Sequence, residues 1–403
     1  MANPYSTLFK APGTVAFSAA GFLARLPMAM GAIAIIAMVS QLRGGYGLAG
    51  AVSATFTLSM AVCAPQISRL VDRYGQSKVL PPFAGASVAA FGVLVLCARY
   101  DAPAWTLFAC AAIAGALPNM SAMVRSRWTH LYRGQDRLHT AFSLESVVDE
   151  LTYMVGPAVA VTLSTALFPE AAPVLAAVLL AIGVALFVPQ KRTEPPLEPR
   201  QSSERNGAAI RSRTLVMLAL TLFAGGTIVG TVDVVSVAFA EEQGFPAGAG
   251  IVLGVYAAGS ALSGLVFGAW NPSVPLPRLL IAGTAGTALT TVPLFLADGL
   301  IALSTIVFIA GVFFSPTMIT VMGLVENTVP AAQLTEGMTW VITGLSAGAA
   351  LGAGLSGAVV DAFGPVGGFT VAVTAGAATF AFALAAYRPL SAATAAEPEP
   401  VAG

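Results

Sequence analysis

Five ionisable side chains stand inside long apolar runs: Arg25, Glu145, Asp149, Glu150 and Asp233. Arg25 lies midway along residues 14–39, the three clustered acids in the first half of 141–163, and Asp233 within 215–240. In a hydrocarbon environment each such charge costs about 2.5–3.5 kcal/mol on insertion scales. Retaining them implies ion pairing, a water-filled cavity, or both. The chemistry open to such groups is proton carriage. Desolvation raises the proton affinity of a carboxylate, while water or a nearby cation lowers it. Glu145 and Asp149 are four apart and share a helix face. Glu150 follows Asp149 by one residue, about 100° further round, so the two adjacent acids cannot enter the same narrow space.

No arrangement for covalent or metal chemistry accompanies them. His130 and His139 flank a polar loop without a Cys or His partner nearby and read as solvated loop histidines. Cys63, Cys97 and Cys110 lie inside apolar runs and read as packing residues, not as a disulfide framework or a metal site. There is no G-x-x-x-x-G-K-[ST] loop to bind a nucleotide. No catalytic residue, metal or cofactor is expected, and nothing points to nucleic acid.

The elements that must position these charges follow from composition. Hydrophobic residues make up 57% and charged residues 9% of the 403, with mean hydropathy +0.82. Soluble domains carry roughly a quarter charged residues, so the solvent of this chain is lipid. About 20 apolar residues cross a bilayer core as a helix. Twelve runs qualify: 14–39, 48–67, 79–96, 105–124, 141–163 and 172–188, then 215–240, 250–270, 279–296, 301–321, 338–360 and 366–386. The runs are continuous rather than alternating, which excludes a β-barrel. The first run lacks a cleavage-type end and reads as a retained span.

Basic residues set the expected orientation. Lys10, then Arg69, Arg73 and Lys78, then Arg125, Arg127, Arg133 and Arg137 fall on one side. Lys191, Arg192, Arg200, Arg205, Arg211, Arg213, Arg278 and Arg388 follow them there, and the other side holds Arg43 and Arg99. Both termini are therefore expected in the cytoplasm. Residues 191–213, rich in Pro, Ser and charge, read as a linker without a core of its own. They separate an N-terminal bundle, 1–190, from a C-terminal one, 214–388, and residues 389–403 read as a disordered cytoplasmic tail. The segments 138–156 and 334–352 echo each other in spacing, as an internal duplication would.

Between the second and third runs stands Ser68-Arg69-Leu70-Val71-Asp72-Arg73-Tyr74-Gly75-Gln76-Ser77-Lys78. It resembles the signature loop of the major facilitator superfamily, G-x-x-x-D-R-x-G-x-x-K. Asp72, Arg73, Gly75 and Lys78 match, and Ser68 replaces the first glycine. Gly75 permits the tight turn, and Asp72 is suited to a helix N-terminus or a basic partner. Met154-Val155-Gly156-Pro157 in the fifth run resembles the Gly-Pro element of the superfamily's antiporters, where Pro bends the helix and Gly allows close approach. The fourth run departs from the efflux pattern, because Ala111 stands where an Arg would precede Gly115 by four. Arg125 and Arg127 fall instead near the basic end, either as anchors with Trp128 at the interface or as a grip on an anionic substrate.

The resemblance implies an all-α membrane fold of two pseudo-symmetric six-helix bundles, monomeric, in the cell membrane. It implies a secondary transporter using alternating access: a proton-coupled exporter of small organic molecules, or alternatively a nutrient importer or uniporter. A membrane-embedded enzyme or a non-transporting receptor is the more distant reading. In the resembling fold the first and fifth helices are neighbours. Asp149 is then expected to titrate and Glu150 to hold Arg25, with the opposite assignment open. Glu145 would relay protons, and Asp233 is a further candidate. The stripes Ser260, Gly264, Gly268 and Gly344, Gly348, Gly352, Ser356 read as surfaces for close helix approach, on helices that the resemblance places at the seam between halves.

Overall fold

The computed structural model of the chain describes residues 4–43, 46–197, 209–245, 248–270 and 272–395, and among these the regular structure is helical. An apolar run in lipid must satisfy every peptide group within itself, and a helix does so. The first three spans are Thr14–Arg43, Tyr46–Tyr74 and Gln76–Arg99. The fourth is built of two pieces, Ala104–Gly115 and Met120–Tyr132. The fifth and sixth are Arg137–Ala166 and Ala171–Phe187. Then come Arg213–Glu242, Gly248–Trp270, Leu276–Thr291 (continued by the 3₁₀ turn Val292–Leu296) and Leu300–Thr328. The last stretch, Leu334–Ala395, would measure about 93 Å as one straight helix. It breaks at Gly364, with φ 76° and ψ 174°, into the eleventh and twelfth spans. Among the described residues ten segments are long and apolar enough to cross a membrane; with the shorter sixth added and the last stretch counted as two, the spans there number twelve.

Contacts divide the chain into two compact units, Met1–Gly134 with Val148–Arg200, and Gln135–Val147 with Gln201–Gly403. In the first unit the first span packs on the sixth, the second on the fourth, and the third on the fourth and sixth. Met30, Ala34, Ala160, Ala172 and Ala176 form one apolar core there. In the second unit the eighth span packs on the tenth, and the ninth on the tenth and the twelfth. Its core includes Val232, Val235, Phe239, Val252, Leu303, Val307 and Phe369. The pairings two–four, three–four and three–six thus recur as eight–ten, nine–ten and nine–twelve, a duplication legible in packing. Arg43 and Arg99, the two basic residues set apart by loop position, bind Asp101 at 2.9 Å and Glu170 at 3.3 Å.

Four features extend or differ from the reading of the sequence. The fourth span runs on to Tyr132, because its break at 116–119 lets a second helical piece follow the first, so Arg125, Arg127 and Trp128 lie inside the span. The start of the fifth span, up to Val147, groups with the second unit. There Thr140 donates to the Gly268 carbonyl at 2.9 Å, Ser143 donates to that of Gly264, and His139 Nε2 lies 3.0 Å from the Phe267 carbonyl. His139 is therefore a half-buried helix residue, not a solvated loop one. The glycines of the eleventh span face the seventh within the second unit: a methyl at Gly344, Gly348 or Gly352 would meet the carbonyls of Ala219, Phe223 and Thr227. The twelfth helix passes Pro389 and is helical to Ala395, and residues 396–403 lie outside those described.

Candidate functional site

Arg25, Arg125 and Asp149 meet within the first unit. Arg25 Nη1 donates to Asp149 Oδ1 at 2.9 Å, and its Nε donates to the Gly21 carbonyl at 3.3 Å. Arg125 Nη2 lies 2.8 Å from Asp149 Oδ2. Ser121 Oγ donates to Asp149 Oδ1 at 2.6 Å. One carboxylate thus receives two guanidinium groups and a hydroxyl. Both guanidiniums are enclosed, with 2% and 0% of their side chains exposed, whereas Asp149 keeps 17%. The carboxylate is the open side of the cluster.

Local sequence builds this arrangement. Gly21, one turn before Arg25, carries no side chain, and a methyl there would overlap Val124 of the fourth span. Its absence lets the two helices close around the guanidiniums. The fourth span restarts at Met120 with Asn119 as its cap, the side chain accepting from Ala122 N at 3.1 Å. Ser121 and Arg125 are four apart in that second piece, so both face Asp149. Removing the carboxylate would strand two buried cations, a loss of roughly 3–5 kcal/mol.

These contacts bring Arg25 onto Asp149, the assignment that spacing left open beside the expected one on Glu150. Glu150 is part-buried beside it, and Glu145, one turn earlier, is fully buried in the segment that groups with the second unit. Asp233 is exposed on the seventh span and makes no hydrogen bond or ion pair among the described residues. Gly156 packs on the first span, where an added methyl would stand 2.9 Å from Ala29 Cβ, and Pro157 lies inside the unbroken helix Arg137–Ala166.

Arg125 and Arg127 are not interface anchors. Arg127 is fully buried. Its Nε donates to Gln76 Oε1 at 2.8 Å, Nη1 to Thr193 Oγ1 at 2.8 Å and to the Gln190 carbonyl at 3.0 Å, and Nη2 to the Phe187 carbonyl at 3.3 Å. The guanidinium stacks 3.7 Å from the Phe187 ring centroid. It ties the fourth span to the third, the sixth and the start of the linker. Trp128 is buried as well, against Phe17 at 4.7 Å and Tyr132 at 5.8 Å between ring centroids.

In the signature loop Gly75 alone joins two helices, at φ 92°. Arg73 and Lys78 are exposed and Asp72 is part-buried. One acceptor at the start of the third span is Glu194, whose Oε1 takes the Ser77 amide at 2.7 Å. The linker is therefore docked at its start, and Ala209 N donates to Glu336 Oε1 at 3.0 Å near its other end. Sequence reasoning missed Ser121, Gln76, Glu194 and Glu336. Only a Glu at the head of a Pro-rich stretch offered a hint. Among the described residues no group of His, Cys, Asp and Glu could hold a metal ion.

The fold and site define a polytopic helical membrane protein with a charge cluster enclosed by its spans. The family profile "Major Facilitator Superfamily" matches residues 17–271 and 235–403, and the chain belongs to that family. A search of curated protein sequences finds no match. Solved structures share the fold. The human organic anion transporter MFSD10 (TETRAN) superposes with TM-score 0.73 at 15% identity, covering 93% of this chain and all of that one. The E. coli fucose:proton symporter FucP gives 0.68 at 14% identity, covering 93% and 98%. A bacterial homologue of the iron transporter ferroportin gives 0.70 at 12% identity, covering 96% and 100%. The chain is a secondary transporter.

Proposed function

We propose that this transporter couples protons to the movement of a small organic molecule across the cell membrane by alternating access, with both termini in the cytoplasm. The observation that carries the reading is the part-open carboxylate of Asp149, seated on two enclosed guanidiniums. Its proton affinity depends on whether those cations face it. A conformational change that separates the first, fourth and fifth spans by a few ångströms would therefore bind or release a proton. Pairing with Arg25 and titration, assigned by spacing to different residues, meet on Asp149. Glu145, Glu150 and Asp233 complete the set of intramembrane acids. The loop of Asp72, Arg73, Gly75 and Lys78 acts on the equilibrium between states, and residues 1–190 and 214–388 form the two halves.

The Gly156-Pro157 element, packed on Ala29, supports exchange and hence export. The charge cluster favours a second reading, uptake, because two cations on one acid suit a proton and an anion that travel together. The test is reconstitution in liposomes with an imposed pH gradient and a panel of radiolabelled small solutes. Uphill accumulation that collapses with the gradient is expected, and its direction relative to the proton chooses between the two. Accumulation indifferent to the pH gradient would overturn proton coupling.

A further inference from the structure

The seat of Asp149 has the composition of an anion site. Two guanidiniums, from the first and fourth spans, and the hydroxyl of Ser121 converge on one carboxylate. A planar bidentate donor such as arginine fits carboxylates of any origin equally well. Arg125 also has donors left over. Its Nε and Nη1 are fully buried and have no hydrogen-bond partner among the described residues. A buried donor without a partner is destabilising, and this one sits beside the part-open group of the cluster. The helix break at 116–119 turns the N-terminus of Met120–Tyr132 into this region. A half-helix start of this kind favours negative charge.

We infer that the substrate carries an anionic carboxylate-like group that takes the place of Asp149 on Arg25 and Arg125, while Asp149 accepts a proton from water. The inference rests on the proton-coupled reading above and names the substrate class for it. Competition for the same donors drives the exchange. With Asp149 ionised the cations are occupied. With Asp149 neutral, the Arg25 Nη1 and Arg125 Nη2 donors that it held turn to one external carboxylate, which also reaches the partnerless edge of Arg125. Proton and organic anion therefore bind together and move in the same direction. The other charged groups near Asp149 are Glu145, one turn earlier on the same face, and Glu150 beside it. Either one ionised would repel a second anion. The fourth span contributes Ser121 and Arg125 to the cluster, and the first contributes Arg25.

The experiment uses the full chain, purified and reconstituted, with matched triples of probes: benzoate, benzamide and benzylamine, and hexanoate, hexanamide and hexylamine. In the wild type the carboxylate members should bind alone, and their affinity should fall about tenfold per pH unit as pH rises, the slope of one linked proton. An inward gradient of the bound carboxylate should acidify the vesicle interior. Asp149→Asn should bind carboxylates without that pH dependence and should carry no protons. Arg125→Gln should lose at least about tenfold in affinity, and Arg125→Lys should recover part of it. The wild-type pH slope needs no variant to fold. If the amine or amide members bind and move uphill with protons while the carboxylates do not, the transport reading stands and the anion inference falls. The inference also falls if no carboxylate binds to the wild type or to Asp149→Asn. It falls again if the pH slope persists in Asp149→Asn but vanishes in Glu145→Gln or Glu150→Gln.

Discussion

At the scale of single residues, two arginines two positions apart do opposite work. Arg125 ends on a carboxylate and keeps unfilled donors. Arg127 ends on four neutral acceptors and an aromatic face, with every direction occupied. A buried cation satisfied in this way is a structural rivet. Arg127→Ala should destabilise the protein by roughly 3–5 kcal/mol, because it empties a packed site and orphans its acceptors. Lysine should not rescue it, since one ammonium cannot serve the same fork. Thermal unfolding of the purified variants and the yield of folded protein measure this. A variant that melts with the wild type would show that the rivet carries no load. Neither role can be read from Val124-Arg125-Ser126-Arg127-Trp128, which as a string looks like a basic anchor at a span end.

At the scale of elements, glycine decides how close helices come. The seventh and eleventh spans interdigitate: Gly226 and Gly230 meet the backbone of Leu345 and Ala349, while Gly344, Gly348 and Gly352 meet that of Ala219, Phe223 and Thr227. The four-residue spacing of the small residues was visible in the sequence, and so was its meaning as a contact face. Its partner was not, because a stripe of glycines fits any helix that presents a flat surface. Gly348→Ala should drive a methyl into the Phe223 carbonyl and cost about 1–3 kcal/mol. Gly254→Ala, in open space on the eighth span, should be neutral or stabilising by up to about 1 kcal/mol. Equal melting temperatures for the two variants would contradict this packing. The broken fourth span is another feature that sequence reasoning passes over. Leu117-Pro118-Asn119 contains a helix breaker and a good cap, but the apolar count runs straight across it.

At the scale of the whole molecule, the asymmetry of basic residues predicts that both termini face the cytoplasm. Single cysteines introduced in place of Lys10 and Ser391, in a background with Cys63, Cys97 and Cys110 replaced, should both be shielded from an impermeant thiol reagent in intact cells and react after permeabilisation. Labelling of one from outside would break the even span count. The sequence by itself determined the number and type of the elements, because lipid leaves a long apolar run no alternative to a helix. It also determined that a handful of charges sit at membrane depth, and which of them share a face of one helix, since the helical period fixes angles along a single element. It could not determine which charge meets which. The rotation of each helix about its own axis is set by packing against its neighbours, through contacts such as Gly21 on Val124 and Gly156 on Ala29. A rotation of 100° separates Asp149 from Glu150. Only the tertiary structure therefore brought Asp149 to Arg25, and brought Ser121 and Arg125 from an extended fourth span to the same carboxylate.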